Sequence, residues 1–135
     1  MGRVAANVTV SNIFDEKNSV QCVAMVDTGA SHLVLPSAWR ERMGSLEQVA
    51  TVEVETADGT LLEGQICGPV RIQVNEFRAV FLEVMFIEMS AAGGEYEPLL
   101  GYLVLEAIPA SVDMVEHRLV QGRPLPLKAC RHVAS

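Results

Sequence analysis

Residues 20–26 (VQCVAMV) form a nearly continuous apolar run that ends directly on Asp27, Thr28 and Gly29. This feature constrains the fold more than any other. A short apolar run rich in β-branched residues reads as a strand, here one covered on both faces. Gly29 permits a tight turn straight after it. The Asp27 carboxylate is thereby held on rigid backbone at the edge of the core, half desolvated, a placement that suits acid/base work. Asp-Thr-Gly is also ordinary turn chemistry, so the triplet alone does not settle what it does.

The rest of the chain reads as short strands separated by turn signals. Residues 4–10 form a first strand, and 33–35 a short apolar piece. Ser37 then stands as an N-cap for a short helix over 38–43, closed by Gly44. Val52, Val54 and Thr56 alternate with Glu53 and Glu55, and Asp58-Gly59 predicts a two-residue hairpin turn. Leu62, Gly64 and Ile66 continue on the return strand. A further strand spans 70–74, Asn75-Glu76 turns, and 80–87 is the most apolar strand. Residues 91–97 (AAGGEYE) make an acidic loop. Leu99, Leu100 and Gly101 lead into a helix over 102–107 that Pro109 ends. A last hairpin pairs 111–115 with 118–120. The fold class is all-β: a small closed or partly closed barrel with one or two short helices.

The 135 residues suit one domain, read as 1–120, with a tail over 121–135 that is either disordered or at a subunit interface. Half the residues are hydrophobic, which excludes a disordered chain. A net charge of −7 with few aromatics argues against nucleic acid as a partner. The longest apolar stretch, 79–89, is broken by Glu83 and Glu88 and is far too short to span a bilayer, so no membrane partner is expected. Cys22, Cys67 and Cys130 are odd in number and widely spaced. That favours neither a disulfide framework nor a zinc cage, and with no signal-peptide pattern it points to the cytoplasm. No metal or other cofactor is expected.

The order of these segments resembles the retropepsin-like aspartic proteases. The resemblance rests on Asp27-Thr28-Gly29-Ala30 after an apolar strand, the hairpin tipped by Asp58-Gly59 about thirty residues on, and Leu99-Leu100-Gly101 before a helix. It covers roughly residues 4–120, and the segment LLGYLVLEAIPASVDMVEHRLV is similar to the end of single-domain cellular and prokaryotic members. The resemblance implies a closed barrel with a flap hairpin and an endopeptidase that acts on extended peptide. It assigns Asp27, Thr28 and Gly29 to the catalytic turn. Thr28 would bond across a dimer axis, and the Gly29 carbonyl would contact substrate. Ala30, Ser31, Thr56, Ala57, Asp58, Gly59 and Thr60 would contact substrate from loop and flap. Leu99, Leu100 and Gly101 would support the loop from behind.

Hydrolysis by this route needs two carboxylates sharing one proton. The chain holds a single Asp-Thr-Gly. A homodimer with Asp27 of each subunit on the axis is therefore expected, with a peptide or protein as substrate. Four departures from the family pattern stand out, one being a hairpin tip of Asp58-Gly59 rather than a run of glycines. Ser31 and Tyr102 replace an Asp–Arg brace, and Leu103 replaces an Asp or Asn. These departures keep open a second reading, a retropepsin-like dimerisation or peptide-binding module that is inactive or highly selective. A Ser31-His32 catalytic pair is disfavoured, since adjacent strand residues point apart and no nucleophile elbow surrounds them. Cys22 reads as a small buried residue, Trp39 as a packing anchor, and Glu95 and Glu97 as a solvated loop.

Overall fold

A computed structural model describes residues 3–56, 58–90 and 96–122. Ala57, the acidic loop over 91–95 and the tail from 123 onward, with Cys130, lie outside the described residues. Two strands open the chain, β1 (Ala5–Asn12) and β2 (Ser19–Val26). After β3 (Leu33–Pro36) comes a 3-10 helix, Ser37–Met43. The long hairpin β4 (Gln48–Glu55) and β5 (Leu61–Val74) follows, then β6 (Val80–Ile87). The two-residue β7 (Leu99–Leu100), helix α1 (Tyr102–Ala107) and a separate hairpin, β8 (Ala110–Asp113) and β9 (Arg118–Gln121), complete the described chain.

The seven-stranded sheet runs β1-β2-β7-β3-β6-β5-β4, and β1 also pairs with β5. That extra pairing closes a barrel and leaves β4 outside the ring. The alternating sequence of β1 explains the closure. Ala6, Val8 and Val10 are buried, and Asn7 is exposed. In the antiparallel registers Val8 meets Cys22 on one side and Val74 on the other, while Val10 meets Val20 and Ile72. Apolar residues of three strands thus share the inner face, and a one-residue slip would turn them all outward. Phe86, Leu33, Leu35, Ile72 and Leu100 fill the interior with essentially no exposed surface. Each such side chain stabilises the fold by about 1.5–3 kcal/mol through burial.

Several local expectations need correction. The run over 20–26 is not covered on both faces. Val20 and Ala24 point inward, whereas Gln21 is exposed and Val23 is 57% exposed, because β2 is a barrel wall with solvent outside. Ser37 is the first residue of the 3-10 helix rather than its cap; Pro36 takes the cap position and no side chain bonds the helix start. Gly44 does end that helix, its N–H donating to the Glu41 carbonyl. Residues 62–66 and 70–74 are one strand, since the Gly68-Pro69 irregularity shifts the pairing with β6 without ending β5. The hairpin connection is longer than two residues, with Thr56 and Thr60 joined at its base by a 2.8 Å N–H···O bond.

A second apolar cluster lies beside the barrel core. Val34, Ile66, Met85 and Ile87 form it, and Ala30, Val52, Val54, Leu62, Met89 and Leu99 pack against it. It joins the loop after β2 to the β4–β5 hairpin.

Candidate active site

The turn after β2 separates β2 from β3, and β7 enters the gap between them. Leu99 and Leu100 pair parallel with Met25 and Val26 and antiparallel with Val34 and Leu33. The Asp27 N–H donates to the Leu100 carbonyl at 3.0 Å, and the Ala30 N–H donates to the Asp27 carbonyl at 3.0 Å. Asp27 Oδ1 accepts the Gly29 N–H at 2.9 Å, an Asx-type turn. No described residue donates to Asp27 Oδ2, and the residue is half-buried. Thr28 and Gly29 are exposed at the top of the loop.

Helix α1 ties the far side of the loop. The N–H groups of Tyr102 and Leu103 donate to the carbonyls of Ala30 and Ser31 at 2.9 and 3.0 Å. The helix thereby satisfies two of its unpaired N–H groups on the turn that carries Asp27. Gly101 makes this approach possible. A Cβ there would lie 2.4 Å from the His32 carbonyl oxygen and 2.5 Å from the Ser31 carbonyl carbon, both backbone atoms. Tyr102 is 41% exposed, and its link to the turn is made by main chain.

Ser31 Oγ and His32 Nδ1 lie 2.7 Å apart. The expectation that they point apart fails because both sit in a bend before β3 begins at Leu33, where strand alternation does not apply. Cys22 is half-buried, and burial pushes its thiol up to about 11. It is protonated at neutral pH and packs against the core.

The hairpin tip is built around Asp58. Its Oδ1 accepts the Thr60 N–H at 3.1 Å and the Thr56 hydroxyl. These donors, the Thr56 hydroxyl foremost, lower the Asp58 carboxyl from 3.8 to about 2. The Gly59 N–H donates to the Thr56 carbonyl at 2.9 Å, and Gly59 has a φ of +86° in open space. Ala57 lies outside the described residues.

Beneath the hairpin, between it and the segments at the end of β6 and the start of β7, lies an open cleft of about 820 Å³, and none of residues 27–31 lines it. Leu62, Ile87, Met89 and Leu99 contribute apolar surface, and all four belong to the cluster that also holds Ala30. Thr56, Asp58 and Thr60 edge it from the hairpin. Arg3, Glu88 and Glu97 edge it as well, and sequence reasoning missed all three. Arg3 forms an ion pair with Glu97, 94 positions away. Glu88 had one signal, its place as the first charge after the most apolar strand. Beside this region Trp39 meets Tyr96 edge-on at 5.8 Å, and the Arg42 guanidinium lies 5.7 Å from the Trp39 ring centre.

The retropepsin-like closed barrel is also seen in a solved relative. EIAV protease complexed with the inhibitor HBY-793 superposes with a TM-score of 0.60 at 18% identity, over 83% of this chain and 93% of that chain. At that identity the likeness carries the fold alone. A comparison with curated proteins finds no match. The aspartyl protease family model matches residues 7–104, a span that holds the Asp27 turn, the hairpin and Gly101. The chain belongs to the aspartyl protease family.

Proposed function

We propose that this chain is an aspartic endopeptidase that acts as a homodimer, with Asp27 of each subunit forming one catalytic pair. The carrying observation is the Asp27 turn. The Asp27 main chain donates to the Leu100 carbonyl and accepts from the Ala30 N–H, the Gly29 N–H holds Oδ1, and Oδ2 accepts from no described residue. The other aspartates serve their own turns. Asp15 accepts from Lys17 and Asn18, Asp58 from Thr56 and Thr60, and Asp113 from Val115 and Glu116. The chain holds a single Asp-Thr-Gly turn, so a second copy of the chain supplies the second working carboxylate.

Two ionised carboxylates ~3 Å apart at an effective dielectric of ~20 repel by about 5 kcal/mol. The pair therefore holds one proton between them. The ionised Asp27 takes a proton from water as its oxygen attacks the scissile carbonyl carbon. The protonated Asp27 hydrogen-bonds the carbonyl oxygen as it gains negative charge. Collapse of the tetrahedral intermediate breaks the C–N bond, and the leaving nitrogen takes the proton that the first Asp27 received from water, so the pair again holds one proton. Thr28 links the two turns across the axis, and Gly29, Ala30 and Ser31 contact the bound peptide. The β4–β5 hairpin is the flap, holding extended peptide through Thr56, Ala57, Asp58, Gly59 and Thr60. Leu99, Leu100 and Gly101 hold the catalytic turn from behind. No cofactor takes part.

The test is cleavage of a complex peptide library between about pH 3 and 7, read by mass spectrometry. Wild type and Asp27→Asn are compared at concentrations shown to be dimeric. Cleavage by wild type alone is expected. No cleavage by a dimeric wild-type sample would instead support the peptide-binding module.

A further inference from the structure

The cleft beneath the hairpin has two kinds of wall. Its apolar side, Leu62, Ile87, Met89 and Leu99, continues the cluster that reaches Ala30 of the Asp27 turn. Its described charged residues are Arg3, Asp58, Glu88 and Glu97. Arg3 is committed to Glu97 by an ion pair. Asp58 and Glu88 are both exposed, and neither forms a salt bridge among the described residues. Asp58 stays anionic down to about pH 2. An occupant of this cleft thus meets apolar surface near the Asp27 turn and uncompensated negative charge at its edges.

We infer that this cleft selects peptides carrying an apolar side chain beside the cleaved bond and a lysine or arginine farther along the strand. The inference rests on the protease reading for its substrate and names that substrate's charge class. A basic side chain gains Coulomb attraction to Asp58 and Glu88, and its aliphatic stem lies along the apolar wall. An acidic side chain in the same place meets like charge with no described cation left to answer it. The effect per residue is that of exposed ion pairs, roughly a threefold to fivefold preference at low salt. Both subunits of a symmetric dimer present the same cleft, so a peptide basic on both sides of the bond gains twice. The preference weakens as salt shortens the screening length from about 10 Å to about 3 Å between 0.1 and 1 M.

The experiment uses matched peptides with one apolar core and Lys, Gln or Glu in the flanking positions. Binding to dimeric Asp27→Asn protein is followed by fluorescence anisotropy, so the answer does not depend on turnover. The expected order is Lys, then Gln, then Glu, compressed by added salt. In the Asp58→Asn and Glu88→Gln variants, each built on Asp27→Asn, the gap between Lys and Glu peptides narrows about threefold. Asp58→Asn keeps an Oδ1 acceptor for the Thr60 N–H, which separates charge from turn geometry. Equal affinity for the three peptides, or an unchanged gap between the Lys and Glu peptides in both variants, overturns the inference. Cleavage of all three peptides by wild type at equal rates and affinities would overturn it while leaving the protease reading intact. The expected binding order without cleavage by wild type would support the cleft's selectivity and contradict turnover.

Discussion

The loops carrying Asp27 and Asp58 share one local device and differ in everything around it. In each, an aspartate Oδ1 accepts the N–H of the residue two positions on, at 2.9 Å in the first and 3.1 Å in the second. Around Asp27 the main chain is bonded to Leu100 and, through Ala30 and Ser31, to the start of α1. Around Asp58 the bonds stay within residues 56–60. The first loop is tied to the barrel; the described bonds of the second tie it only to its own hairpin. An Asx turn is a local habit of aspartate, and tertiary contacts decide whether it is tied into the core or only to its own hairpin.

The difference breaks most sharply at Gly101. A Gly101→Ala variant must push Ser31 and His32 main chain away from α1. It is expected to lose at least about 2 kcal/mol of unfolding free energy by urea titration, and activity with it. An unchanged midpoint would mean that the Asp27 turn is not held from behind. The contrasting change, Asp58→Ala, removes the acceptor for the Thr60 N–H and the Thr56 hydroxyl. The melting temperature should stay nearly constant while amide exchange quickens at residues 56–60. Quickened exchange spread over the barrel would show that the tip is coupled to the core after all.

The smallest effect is a titration. The folded-state value for Asp58 is depressed from 3.8 to about 2. The order it gives the tip is therefore fully present above about 4 and is lost as pH falls through about 2. The turn should persist across the mildly acidic range in which a carboxylate pair works. Carboxyl-carbon NMR shifts for Asp58 should show a midpoint near 2; one near 4 would mean that its donors are not engaged in solution.

The same contrast separates what the residues disclose from what they conceal. Local chemistry was legible: the strands over 4–10 and 70–74, the turn at Asp27, and the helix after Gly101. The closed retropepsin-like barrel followed from the order of those segments. Contacts between distant positions were not legible. Arg3 and Glu97 lie 94 positions apart, and nothing local pairs them. Glu88 read as an interruption of an apolar run because its neighbours in the cleft come from other strands. The continuity of β5 through Gly68-Pro69 was hidden by two residues that ordinarily signal a break, yet here bulge a strand that is paired on both sides of them. Val23 read as buried because an apolar run does not say which face meets solvent. Ser31 and His32 were judged by strand alternation in a segment that is not strand.

The central claim is that two chains each supply one Asp27 to a single reaction centre. It is tested most directly by mixing wild type with Asp27→Asn at fixed total concentration and allowing the subunits to exchange. The account predicts that peptidase activity falls as the square of the wild-type fraction, because a mixed dimer has one working carboxylate. Activity falling in simple proportion to the wild-type fraction would contradict it, placing a complete catalytic centre within one chain.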